Sequence, residues 1–115
     1  MEPKFKLETL SSGAMKHLDS KLRMDLIPPE HYENLAKVLT YGANKYEDRN
    51  WEKGIEYMTN YASALRHLNQ WAKGEDKDQE SGLSHIDHAI TNLMMISVQT
   101  SRDMTQLDNR PSKES

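Results

Sequence analysis

The sequence predicts an all-α fold: a small bundle of about three main helices preceded by a short N-terminal element. Three observations carry that prediction. Apolar residues recur at steps of three and four over three long segments. Proline, glycine and serine fall where those segments should begin and end. No alternating apolar run of useful length marks a strand.

The elements follow in chain order. Residues 1–27 are polar and mixed in charge, with Ser11-Ser12-Gly13 as a turn, and read as an arm. Pro28-Pro29 suits the first turn of a helix, where a missing N–H costs nothing. A first helix is therefore expected from Pro29 to about Gly42 or Tyr46, with Leu35, Val38 and Leu39 on its apolar side. A polar connection holding Tyr46 and Trp51 ends at Gly54. A second helix is expected over 56–73, its stripe running through Met58, Tyr61, Leu65, Leu68 and Trp71 or Ala72. Gly74 is the expected terminator. The third helix should run from near Ser84 to about Arg102, with Ile86, Ile90, Leu93 and Ser97 on one side. Residues 1–104 read as one domain, and the polar segment 105–115 as a flexible tail.

Bulk properties narrow the function. The chain has 115 residues and only 36% hydrophobic content, so its core is thin and a homo-oligomer, dimer or tetramer, is expected to enlarge it. A net charge of −3 gives no basic footprint for duplex nucleic acid. There is no cysteine, hence no disulfide or thiolate chemistry. No apolar run approaches the ~18 residues of a membrane span, and the N-terminus lacks a signal-peptide core. A cytoplasmic location is expected.

The chemically dense stretch is GEDKDQESGLSHIDH, residues 74–88, with five carboxylates and two histidines. His85, His88 and Asn92 project from one side of the third helix, beside its apolar stripe. Glu75, Asp78 and Glu80 precede them. Oxygen-rich surroundings suit Mg²⁺ or Mn²⁺, whereas the two histidines suit zinc equally well. An acidic connection before a helix is, however, commonly just a solvated loop. Glu30 and Glu33 form an E-x-x-E pair that either shares a cation or complements the helix dipole. Arg66 and His67 either hold phosphate or sit as helix residues, His67 in the core. Lys45 and Lys53 place positive charge in the first connection, where Tyr46 and Trp51 offer rings for stacking. Lys21 and Arg23 are placed to reach into a cleft from the arm. There is no Gly-rich phosphate loop ending in Lys-Ser or Lys-Thr, and no adjacent His-Asp pair.

Read together, KLRMDLIPPE, LTYGANKYEDRNWEKG and RHLNQWAKGEDKDQESGLSHIDHAITNL resemble a phage and bacterial family, the dATP/dGTP diphosphohydrolases of the N-terminal domain type. The phrases YGAxKYxxxNWxKG and GExxDxESGxxHxxH are long and unusual. The resemblance covers about residues 11–97. It implies a distant kinship with the MazG-like all-α nucleotide pyrophosphohydrolases, and hydrolysis of a purine deoxynucleoside triphosphate to monophosphate and pyrophosphate. It further implies Mg²⁺ or Mn²⁺ held by Glu75, Asp78 and Glu80, with Glu30 and Glu33 as contributors. Glu80, Asp78, His85 and His88 are the expected catalytic groups. Lys45, Tyr46, Asn50, Trp51, Lys53, Arg66, His67 and Asn92, with Lys21 and Arg23, are the expected substrate contacts. The MazG pattern pairs E-x-x-E with E-x-x-D on the next helix. Glu30 and Glu33 match the first half, but Glu75-x-x-Asp78 falls in a predicted loop, and the histidines are additional. The competing expectation is a phage protein that binds or sequesters nucleotides without hydrolysing them.

Overall fold

A computed structural model describes residues 7–9, 11–17 and 21–113. Residues 1–6, 10, 18–20, 114 and 115 lie outside the described residues, and so do both ends of the expected 1–104 and 105–115 division.

Three helices form the body, as the sequence predicts. The N-terminal element is a small hairpin: β1, Leu7–Thr9, pairs antiparallel with β2, Met15–His17. The turn between them contains Ser11-Ser12-Gly13, with Gly13 at φ +90°. A single 3-10 turn, Met24–Leu26, leads to the first main helix.

α1 spans Pro29–Lys45, with Pro29 at its first position. A 3-10 turn over Asn50–Lys53 ends at Gly54, which has φ +119°. A Cβ at Gly54 would lie 3.3 Å from Leu107 Cδ1, so this glycine serves both the turn and a close approach. α2 spans Tyr57–Ala72 and stops before Gly74, φ +100°. α3 spans His85–Ser101, and the Ser84 hydroxyl caps it by accepting from the Asp87 amide at 3.2 Å. α2 and α3 pack closely, while α1 leans on α3 and leaves a cleft between itself and α2.

The interior departs from the expected stripes. Tyr61, Leu65 and Trp71 on α2, and Leu93 on α3, are all close to half exposed. Facing inward instead are Tyr57, Asn60 and Ala64 on α2, and His85, Ala89, Thr91 and Gln99 on α3. The small Ala64 and Ala89, 1% and 2% exposed, accompany the close packing of these helices. Apolar periodicity identifies a face that avoids water. It does not say that another part of the same chain covers it.

Of the segment expected to be a flexible tail, the described residues 105–113 are folded against the bundle. They form 3-10 turns at Thr105–Leu107 and Pro111–Lys113. Asn109 Oδ1 accepts from the Met58 amide at 3.0 Å, and its Nδ2 donates to Glu56 at 2.8 Å. The start of α2 is thus capped from the far end of the chain, and that need holds the polar segment in place. Among the described residues no helix is long and apolar enough to cross a membrane.

Candidate functional site

The connection 73–84 is a tight structure. Asp78 N donates to Leu83 O and Gly82 N to Asp78 O, both at 2.8 Å, and His85 N donates to Asp76 O at 2.9 Å. Lys77 and Ser84 form an isolated antiparallel bridge. The Ser81 amide donates to Asp78 Oδ2 at 2.8 Å and fixes that carboxylate. Backbone closure therefore aims the acidic side chains, which a solvated loop would not do.

The loop brings its carboxylates to a group of imidazoles. His67 on α2 and His85 on α3 approach with their Nδ1 atoms 2.9 Å apart. His85, 2% exposed, has its Nε2 3.0 Å from Glu75 Oε1. His88 lies one turn along α3, stacked on His67 with ring centroids 4.5 Å apart and planes 6° from parallel. Its Nε2 meets Ser81 Oγ at 2.7 Å. His67, Asp78 and His85 each offer a ligand-type atom within 4.8 Å of the others.

Burial chiefly, with charge repulsion from His88 beside it, pushes His67 below the ordinary imidazole range. Burial likewise lowers His88, against the opposing pull of Asp78. Both rings are thereby biased towards the neutral form, with a lone pair free for a proton or an ion. Burial works to raise Asp78, but hydrogen bonds from the Ser81 amide and hydroxyl, with the neighbouring imidazoles, outweigh it and keep the carboxyl below its usual value. At the rim, Lys45 Nζ donates to Glu80 Oε1 at 2.7 Å. That hydrogen bond, with one from Tyr41, lowers Glu80, and the hydrogen bond to Glu80 raises Lys45. The pair is well exposed, so its worth to stability is small.

These groups lie at one end of the cleft between α1 and the α2–α3 layer, about 780 Å³ in volume. That is ample for a nucleotide-sized ligand. Of the residues expected from sequence, Lys45, Tyr46, Asn50, Trp51 and Arg66 line it, together with His67, Asp78, Glu80, His88 and Asn92. Glu75 and His85 stand behind the wall and reach the cleft through His67. Lys53 is outside, paired with Glu47. Glu30 and Glu33 are exposed near the start of α1, and Glu33 is roughly 18 Å along the helix from Lys45. Lys21 is exposed, and Arg23 is engaged by Asp25 through two 2.7 Å hydrogen bonds. The structure does not bring these outlying residues to the acidic corner.

Two cleft residues, Tyr41 and Asn60, and one behind its wall, Ser81, contact the expected set without belonging to it. Tyr41 contacts Glu80, and its position one turn before Lys45 was the available signal. Ser81 holds both Asp78 and His88, and the ESG triplet marks it. Asn60 had no signal. It accepts at 3.1 Å from Asn92 Nδ2, seven residues from the His67–His85 layer on both helices, about 10.5 Å along the axis. Among the described residues, nothing hydrogen-bonds to the buried Asn60 Nδ2 and Asn92 Oδ1. A smaller cavity of about 450 Å³, between α2, α3 and the Arg110–Ser112 segment, is lined by neither carboxylate nor imidazole.

Fold and site together define a small helical bundle whose cleft joins cationic, acidic and imidazole groups at one end, a surface suited to a polyanion. The profile of the family described as dATP/dGTP diphosphohydrolase, N-terminal, matches residues 11–110, and the chain belongs to that family. It is similar to a protein of Salmonella phage PMBT28 named dATP/dGTP diphosphohydrolase, at 33% identity over 100 residues. The match covers 87% of this chain and 32% of that relative, so the chain spans about a third of its length. No solved structure matches the chain.

Proposed function

We propose that this chain forms the hydrolytic site of a purine deoxynucleoside triphosphate diphosphohydrolase, which converts dATP or dGTP and water to the monophosphate and pyrophosphate. The observation that carries the reading is the convergence of Asp78, His67 and His88 with Lys45, Glu80 and Arg66 at one end of a nucleotide-sized cleft. Family membership supplies the substrate class.

Lys45 and Arg66 would bind phosphate oxygens, the guanidinium through two parallel hydrogen bonds. Lys45 is paired with Glu80, and a substrate phosphate bound by Lys45 would displace that carboxylate and free it. His88, held by Ser81 at Nε2 and kept neutral by burial, is placed to accept a proton from water. The water oxygen bonds to the α-phosphorus, the bond to the bridging oxygen breaks, and pyrophosphate leaves with that electron pair. The carboxylate and imidazoles at Asp78 fit a divalent cation, Mg²⁺ or Mn²⁺ on the sequence expectation, which would screen the triphosphate and lower the pKa of the attacking water. Tyr46 and Trp51 would stack on the base. Asn60 and Asn92, about 10.5 Å along the helices from the His67–His85 layer, would read the base edge. Their free donor and acceptor match the N6–N7 edge of adenine once rotated into the cleft.

The half-exposed Tyr61, Leu65, Trp71 and Leu93 support a homo-oligomer that covers this face, and a cytoplasmic protein is the setting this chemistry suits. A second reading, nucleotide binding without hydrolysis, draws on one feature: Glu75 and Glu80 are already paired within the chain. Incubation with dATP, dGTP and their ribonucleotide counterparts, with Mn²⁺ or with chelator, separates the two. The proposal expects purine monophosphate and pyrophosphate, abolished by chelator. Recovery of every nucleotide intact after denaturation would favour binding alone.

A further inference from the structure

We propose that the cation at this corner is a transition-metal ion held by His67 Nδ1, His85 Nδ1 and the Asp78 carboxylate, with Glu75 as the residue that positions His85. The inference rests on the reading of the Asp78 corner as a cation site, and it assigns the ligands and the class of ion.

The argument begins at Glu75. An ionised carboxylate only accepts hydrogen bonds, so at 3.0 Å the proton belongs to His85 Nε2. A neutral His85 must then carry a bare lone pair on Nδ1. That atom is buried and faces His67 Nδ1 at 2.9 Å. Two nitrogens about 2.1 Å from one ion are about 3.0 Å apart in octahedral geometry and about 3.4 Å apart in tetrahedral geometry, so the observed 2.9 Å is close to the separation of two ligands and needs little ring movement to become it. In the ion-free protein a single proton on His67 Nδ1 spans the same gap.

The surroundings go beyond what a shared proton needs. Stacking against His88 fixes the plane of the His67 ring. The Ser81 amide holds Asp78 Oδ2 and aims the carboxylate at the same point. A carboxylate behind a ligating imidazole is the usual outer support of a metal centre, and Glu75 occupies that place. Three protein ligands leave further positions for water and phosphate oxygen.

Two imidazoles and one carboxylate favour Mn²⁺, Fe²⁺, Co²⁺ or Zn²⁺ over Mg²⁺, which takes oxygen donors and keeps most of its water. Glu80 lies outside the ligand set, tied to Lys45 at the rim. It acts on substrate and leaves ion affinity alone.

The test strips the whole chain with chelator and dialyses it separately against Mg²⁺, Mn²⁺, Co²⁺ and Zn²⁺ without nucleotide. Bound metal is counted, and the Co²⁺ absorption spectrum is recorded. Co²⁺ and Zn²⁺ should be retained, one per chain, and Mg²⁺ should not. His67→Ala and Asp78→Asn should lose the ion and change the Co²⁺ spectrum. Glu75→Gln should weaken retention about 10- to 100-fold with helicity unchanged. Glu80→Gln should bind Co²⁺ as the parent does. Equal retention of Mg²⁺, or parental Co²⁺ affinity in both His67→Ala and Glu75→Gln, would overturn the assignment. Pyrophosphate release with Mg²⁺ that survives His67→Ala would defeat the ligand set and leave the diphosphohydrolase reading standing. Co²⁺ lost with His67, without hydrolysis of any purine nucleotide, would do the reverse.

Discussion

At one end of the α2–α3 seam, Gln99 closes both amide atoms onto a single residue. Its Oε1 accepts from Ile55 N at 2.8 Å and its Nε2 donates to Ile55 O at 2.9 Å. At the other end, His67 and His85 turn ring nitrogens towards each other beside Asp78. The Asn60–Asn92 layer lies between, with one hydrogen bond made and two amide atoms unfilled. His85, Asn92 and Gln99 follow one another at seven-residue steps on α3, so a single helical face carries all three layers. Burial of polar groups is common to them. What separates them is where the remaining hydrogen-bonding capacity goes. Gln99 directs it to the backbone of Ile55, whereas the imidazole end turns its ring nitrogens and the Asp78 carboxylate towards one another, which is the arrangement the proposed chemistry uses.

The contrast breaks most sharply at His88. His88→Ala should lower turnover by about 10² to 10⁴ if the ring carries the proton. Its melting temperature should change far less than its rate, measured by pyrophosphate release beside thermal denaturation. Parental turnover would move His88 to the structural side of the comparison. The next effect in size belongs to the opposite end. Gln99→Leu orphans both backbone groups of Ile55, at roughly 1–3 kcal/mol each. Urea unfolding should show that loss, while Co²⁺ retention stays intact below the transition. The smallest effect on stability should come from the middle layer. Replacing Asn60 and Asn92 together by leucine removes both orphaned atoms, so stability should be nearly unchanged or slightly higher. KM for purine nucleotides should rise in the same protein. A large fall in stability would show that the pair supports the fold and does not read the base.

The ends of the helices were legible in the sequence because local chemistry writes them. Pro29, Gly74 and Ser84 each mark a boundary within a residue or two of where it falls. The inward faces were not legible. Leu65, Trp71 and Leu93 follow the helical period yet remain half exposed, while Asn60 and Gln99 are buried, because periodicity carries no information about what covers a stripe. Asn109 reads as tail by composition, but it caps Met58 across 51 residues, a pairing only the folded chain creates. The site divides in the same way. GExxDxESGxxHxxH marks its acidic half as a local phrase. The partner of His85 sits 18 residues upstream on another helix, and no spacing rule connects the two. Glu30 and Glu33 had the right form for a ligand pair, but they lie near the far end of α1, because form along one helix does not say which end faces the cleft.

Hydrolysis of dATP and dGTP in isotopically labelled water, with the label followed into each product, tests the central claim most directly. Attack at the α-phosphorus predicts label in the deoxynucleoside monophosphate and none in the pyrophosphate. Label in pyrophosphate, orthophosphate as the leaving product, or no incorporation at all would contradict it.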